Sequence, residues 1–165
     1  MKIVTGGQTG VDRAALDAAV SGGIEYGGWC PRGGWAEDFP EPPGVRAKFP
    51  LLSDTPLADP AQRTTWNIRD SDVVLILVGD AGTSVSAGTA LARQLAEGEG
   101  KPTLVIDLGH ADSLASATEW LETQRVQFGA GLRLGIGGPR ESEAPGIYDR
   151  AGVFLGALFR TQGTD

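Results

Sequence analysis

The chain is poor in the residues from which disulfide scaffolds, metal sites and nucleophilic triads are built. Its 165 residues include one cysteine, Cys30, one histidine, His110, and one methionine. A single thiol excludes an internal disulfide and suits a reducing cytoplasm. One histidine leaves no Ser/His/Asp set and no metal-binding cluster. Positive charge is also scarce: 14 lysines and arginines stand against 21 aspartates and glutamates, a net charge of −7. That balance argues against a general nucleic-acid surface. No apolar run approaches the roughly 20 residues of a membrane span. Met1-Lys2-Ile3-Val4-Thr5 reads as a strand, so no leader peptide is expected ahead of it.

What the chain has is glycine, 25 residues of it, gathered into turns. Gly6-Gly7-Gln8-Thr9-Gly10, Ser86-Ala87-Gly88-Thr89 and Gly137-Gly138-Pro139-Arg140-Glu141-Ser142 each follow an apolar run and are expected to open a helix. In a parallel α/β sheet all strand-to-helix turns lie at the carboxyl edge, so three can meet on one ligand. Free N–H groups at helix N-termini favour an anion there. The pattern points to a small phosphorylated or oxyanionic ligand, held by local groups against the overall negative charge.

Periodicity supplies the frame. Strands are expected at Lys2–Thr5, Ile24–Gly28, Val73–Val78, Thr103–Asp107 and Leu132–Ile136, the third and fourth reading as fully buried. Helices are expected from Thr9 or Gly10 to Val20, then at Ala58–Arg69, Gly88–Glu97, Ser113–Phe128 and Pro145–Phe159. Phe128 and Phe154 are expected on the inward faces of the last two. The alternation predicts one α/β domain over residues 1–160, with a frayed tail at 161–165. It is a doubly wound, mainly parallel sheet of about five or more strands, with helices on both faces. Between Pro31 and Pro60 lie seven of the ten prolines, an irregular stretch whose tryptophans, phenylalanines and leucines can pack. Such a stretch is usually functional, here a lid or a subunit contact.

Within the first turn Thr9 can cap the helix or offer its hydroxyl to a phosphate, and Arg13 can add a charged contact. The Gly-Lys-Ser/Thr ending of a Walker loop is missing. Four hydroxyls, on Thr83, Ser84, Ser86 and Thr89, make the second turn a neutral oxyanion cradle, although Ser86 can equally be an N-cap. Arg140 in the third can clamp a phosphate in two-pronged fashion, or form a surface pair with a glutamate worth little. Trp29 and Trp35 can stack on a planar ring, with Arg32 between them. Cys30 can bind a soft metal or simply pack. Glu37-Asp38 can be a catalytic pair or a solvated one. Asp107 and His110 end the fourth strand at the same edge, the lone histidine without a visible partner.

Five blocks carry a resemblance: Gly6–Arg13 (GGQTGVDR), Gly27–Pro31 (GGWCP), Arg63–Asp72 (RTTWNIRDSD), Gly88–Leu91 (GTAL) and Gly138–Tyr148 (GPRESEAPGIY). In this order they resemble the putative molybdenum carrier family of the Rossmann-like SLOG superfamily. That superfamily also holds molybdenum cofactor carriers and the lysine-decarboxylase-like phosphoribohydrolases. The resemblance implies a homo-oligomer, dimer or tetramer, carrying or sensing molybdenum cofactor, molybdate or another nucleotide-like molecule. The ligand contacts expected from the turns and the tryptophan loop are Gly6, Gly7, Gln8, Thr9, Gly10, Arg13, Trp29, Arg32, Ser86, Gly88, Thr89, Gly138, Arg140, Glu141 and Ser142. No catalytic or metal-ligating residue is assigned. The phosphoribohydrolases carry a glutamate where this chain has Ala92, so their hydrolysis is not expected unless Glu37, Asp38 or Glu141 substitutes. That hydrolase or transferase is the alternative reading; a regulatory oligomer reporting ligand levels is a third.

Overall fold

A computed structural model describes residues 1–162. Five parallel strands form the main sheet: β1 (Lys2–Val4), β2 (Glu25–Gly27), β5 (Val73–Val78), β6 (Thr103–Asp107) and β7 (Arg133–Gly137). Their spatial order is β2-β1-β7-β5-β6. The last strand is thus inserted between the first and the third of the sheet. Registers Lys2↔Arg133 and Val73↔Leu134 fix it there.

Five helices cover the two faces: α1 (Val11–Ser21), α2 (Pro60–Arg69), α3 (Ala87–Gly98), α4 (Ser113–Phe128) and α5 (Ile147–Thr161). All six side chains of β5 are buried, and they alternate between faces as a strand requires. Val73, Leu75 and Leu77 join the larger core with Leu16, Leu121, Leu155 and Leu158 from α1, α4 and α5. Val74, Ile76 and Val78 meet Ile68 and Ala96 from α2 and α3. Helices therefore pack on both faces, and the doubly wound α/β class is as expected.

Several expectations need correction. Strand β6 is an edge strand and only half-buried, because β5 is its sole neighbour. Phe128, at the end of α4, is exposed, and Gln124 takes the buried place one turn earlier. Phe154 is only partly buried. Helix α5 starts at Ile147 rather than Pro145, after Gly146 with φ +85°. Thr161 is its last residue, so the frayed tail is not seen there; residues 163–165 lie outside the described residues.

The proline-rich stretch is ordered. Strand β3 (Trp29–Cys30) pairs in parallel with β4 (Ser53–Asp54), and two short 3-10 turns lie between them. Ala36, Val45, Phe49 and Leu52 are part of the main core. Cys30 is fully buried and its Sγ donates to the Ser53 carbonyl at 3.3 Å. Burial first, and then the Asp54 charge, push its thiol up to about 11, so it packs as a small apolar residue.

Candidate functional site

Because β1, β7 and β5 are parallel neighbours, the turns that follow them lie side by side at the carboxyl edge. Two close approaches weld the first turn to the third. The Val11 N–H donates to the Pro139 carbonyl at 3.2 Å, and Glu141 N–H donates to Thr9 Oγ1 at 3.2 Å. A Cβ on Gly10, whose φ is +74°, would stand 2.3 Å from the Pro139 oxygen. A Cβ on Gly138 would stand 2.3 Å from the Leu77 carbonyl of β5 and 2.6 Å from Val11. Both glycines are there because the backbones nearly touch.

The three turns and the facing ends of α2 and α3 enclose a cleft of about 280 Å³. Gln8, Ser86, Gly88, Thr89, Gly138 and Arg140 line it, as do Asp12, Arg63 and Ala92. Sequence reasoning had placed the first six in one site and had no role for Arg63. Asp12 Oδ2 and Arg63 Nη1 meet at 2.9 Å with side chains 5% and 17% exposed, an ion pair across 51 positions of sequence. Burial raises the Asp12 carboxyl, and Arg63 beside it opposes that rise. Nε of Arg63 is buried without a partner, as is Oγ1 of Thr89.

The helix N-termini differ in what they offer. Ser86 Oγ caps α3 by accepting from Thr89 N–H at 3.3 Å. That leaves the N–H groups of Ala87 and Gly88 without a protein partner among the described residues, at the first helical positions. Helix α5 is closed instead by Glu141, whose carboxylate accepts from Gly146 N–H at 2.5 Å and Tyr148 N–H at 3.0 Å. This is also why α5 begins late. Its N-terminus is thus satisfied by its own turn, and α3 is the one open to the cleft.

Glu37 binds the first and third turns together. It accepts from the hydroxyls of Thr9 and Ser142, the latter at 2.7 Å, while its own N–H donates to Gln8 Oε1 at 2.9 Å. Burial works against its charge, but the Thr9 and Ser142 hydrogen bonds together outweigh burial and hold the carboxyl below its ordinary range. Arg140 stands between Glu143, at 3.3 Å, and Glu37, at 3.9 Å, with 37% of its side chain exposed at the rim. Gly6 lies against the Asp12–Arg63 pair, where a Cβ would strike the guanidinium, and Gly7 lies under the proline-rich stretch, where a Cβ would strike Leu52 and Val45.

Three residues expected near the ligand are engaged elsewhere. Arg13 is buried, paired with Asp38 and bonded to the Gly7 carbonyl. Trp29 donates from Nε1 to Asp70 at 2.7 Å and stacks edge-on against Trp66. Arg32 is exposed, away from the residues that line the cleft. A wider hollow of about 950 Å³ runs along α1 and α5 to Met1 and Glu25. None of the three turns reaches it, and the physical case for a ligand rests with the smaller cleft.

A parallel α/β sheet whose neighbouring carboxyl-edge turns close a small polar cleft defines a Rossmann-like α/β domain. The chain belongs to the circularly permutated YpsA SLOG family, whose model matches residues 3–159. A solved structure of a putative molybdenum carrier protein from Syntrophus aciditrophicus SB is 36% identical, covers 95% of this chain and 93% of that one, and superposes with a TM-score of 0.80. No curated protein matches the chain.

Proposed function

We propose that this protein is a carrier or sensor that binds a phosphorylated, nucleotide-like ligand in the cleft between the three turns, with molybdenum cofactor or molybdate as leading cargo. The observation that carries the reading is the convergence of Gln8, Ser86–Thr89 and Gly138–Arg140 on one cleft, with Arg63 and Arg140 beside it. The similar structure's description as a molybdenum carrier protein supports the choice of cargo. A single cysteine, with no second thiol in the chain for an internal disulfide, suits the cytoplasm. A homo-oligomer is the form that the resemblance implies, and sedimentation velocity at micromolar concentration tests it: a single monomeric boundary rejects it.

The direct test is mass spectrometry of small molecules released from protein purified out of a host that makes the cofactor, with elemental analysis of the same sample. A pterin phosphate or stoichiometric molybdenum supports the carrier. Their quantitative absence rejects it.

A further inference from the structure

Helix α5 carries one face that the monomer leaves uncovered. At 3.6 residues per turn, Asp149, Val153, Gly156 and Arg160 fall within about 60° of one another around the helix axis, and Gly152 lies about 40° beyond them. All five border the wide hollow along α1 and α5. Val153 is 76% exposed. Asp149 and Arg160 are exposed too, and neither makes an ion pair among the described residues. Leaving aside the helix's own backbone, a Cβ on Gly152 would meet nothing within 4 Å, and one on Gly156 only the end of Arg160, at 3.6 Å. No packing in the monomer calls for either glycine, although each weakens a helix interior relative to alanine.

The face carries opposite charges at its two ends. Asp149 stands in the first turn of α5 and Arg160 in the last, about 16 Å apart along the axis at 1.5 Å per residue, with Val153 and Gly156 between them. Resting on the homo-oligomer reading above, we propose that this face is a two-fold contact with a second copy of this chain, made by α5 packed antiparallel on α5. A two-fold axis crossing the helix near Phe154 and Leu155 sets Asp149 against the partner's Arg160, and Arg160 against the partner's Asp149, as a self-complementary interface requires. A parallel pairing would oppose like charges instead. Val153 then enters the partner's hollow as a ridge enters a groove, and the two glycines let the helix backbones come close. The hollow and the small cleft share no lining residue, so the contact leaves the cleft open.

The test is sedimentation velocity of the full chain and its variants over a range of micromolar concentrations, with circular dichroism to check that each is folded. The wild type is expected as a dimer or a multiple of one. Gly152→Leu, whose side chain starts in open space in the monomer, and Val153→Glu should each halve the mass of the particle. Asp149→Arg and Arg160→Asp each oppose like charges at both ends of the contact and should weaken association about a hundredfold. The two reversals together restore opposite charges and should bring association back to within about tenfold of wild type. A wild-type oligomer that every variant leaves intact rejects this face and keeps the homo-oligomer. Single reversals that dissociate with no recovery in the pair reject the antiparallel arrangement. A monomeric wild type rejects the contact and the homo-oligomer together.

Discussion

Arg13 and Asp38 form a two-pronged ion pair, with Nη1 2.7 Å from Oδ2 and Nη2 2.9 Å from Oδ1. The arginine side chain is 8% exposed and the aspartate 42%, so the pair is unequal. Arg13 also lies over the rings of Phe39 and Phe49. It is the bolt that holds the proline-rich stretch to the first glycine turn. Arg13→Ala should cost on the order of 3 kcal/mol, from a lost buried charge partner, carbonyl contact and packing. Asp38→Asn keeps one acceptor at a more solvated end and should cost about 1 kcal/mol. Urea unfolding of both variants measures the asymmetry; equal losses would refute it.

Asp12 and Asp38 should pull stability in opposite directions with pH. Asp38 is held below its ordinary range, first by the Arg13 hydrogen bonds, with burial opposing. Its contribution is complete above the unfolded value of about 3.9 and is lost as pH falls through the lower folded value. Asp12 is raised by burial. Its folded form keeps the proton longer, so stability declines as pH rises from about 3.9 through the folded value. Asp12→Asn should remove that decline, and Asp38→Asn should flatten the acid side. Urea midpoints from acid to neutral pH decide it, and an Asp12→Asn profile parallel to wild type would count against this assignment.

Gly10 and Gly82 test whether space or backbone conformation matters more. Both have positive φ, +74° and +65°, but a Cβ on Gly82 meets nothing within 4 Å. Gly82→Ala should cost about 1–2 kcal/mol, the left-handed penalty alone. Gly10→Ala adds a clash with the Pro139 carbonyl and should cost on the order of 4 kcal/mol. It should also weaken phosphate binding, because it drives the first and third turns apart. Comparable denaturation midpoints would show that the turns move freely.

Lys101 closes the carboxyl end of α2, with Nζ 2.5 Å from the Ile68 carbonyl, 2.9 Å from Arg69 and 2.7 Å from Ser71. Lys101→Met keeps the stem and removes three charged hydrogen bonds. A loss of about 2 kcal/mol is expected, with faster amide exchange in the last turn of α2. Unchanged exchange there would mean that water replaces the lysine without cost.

Arg140→Ala should weaken binding of a nucleoside monophosphate by about ten- to a hundredfold and leave the melting temperature nearly unchanged. Its two carboxylate neighbours are longer than ideal contacts, and the side chain stands at the rim. Calorimetry and thermal melting are read together. Stability lost with affinity kept would make Arg140 a structural ion pair.

The α/β frame was legible because β5 announces itself as an unbroken apolar run and α1 as alanines at helical spacing. The proline-rich stretch was legible as something ordered, from its aromatic weight, but not as a strand pair. Two-residue strands such as Trp29–Cys30 and Ser53–Asp54 carry no period to read. Arg63 was missed as a cleft residue for a related reason. Its partner Asp12 lies on another helix, and nothing local distinguishes it from a solvated arginine. The signal present was its place at the head of the Arg63–Asp72 block, where two arginines accompany two aspartates and an asparagine. Helix α5 began late because Glu141, read as a ligand contact, spends its carboxylate on the helix N-terminus.

The position of β7 between β1 and β5 sets an order of events during synthesis. Until Arg133–Gly137 leaves the ribosome, the nascent chain holds two half-sheets, β1–β2 and β5–β6, whose inner edges have unpaired backbone groups. The β1 and β5 edges then face solvent or one another across a gap of one strand. Such edges invite pairing with other chains. The final stretch of translation is therefore the vulnerable interval, and a chain cut short before residue 133 should aggregate rather than fold in part.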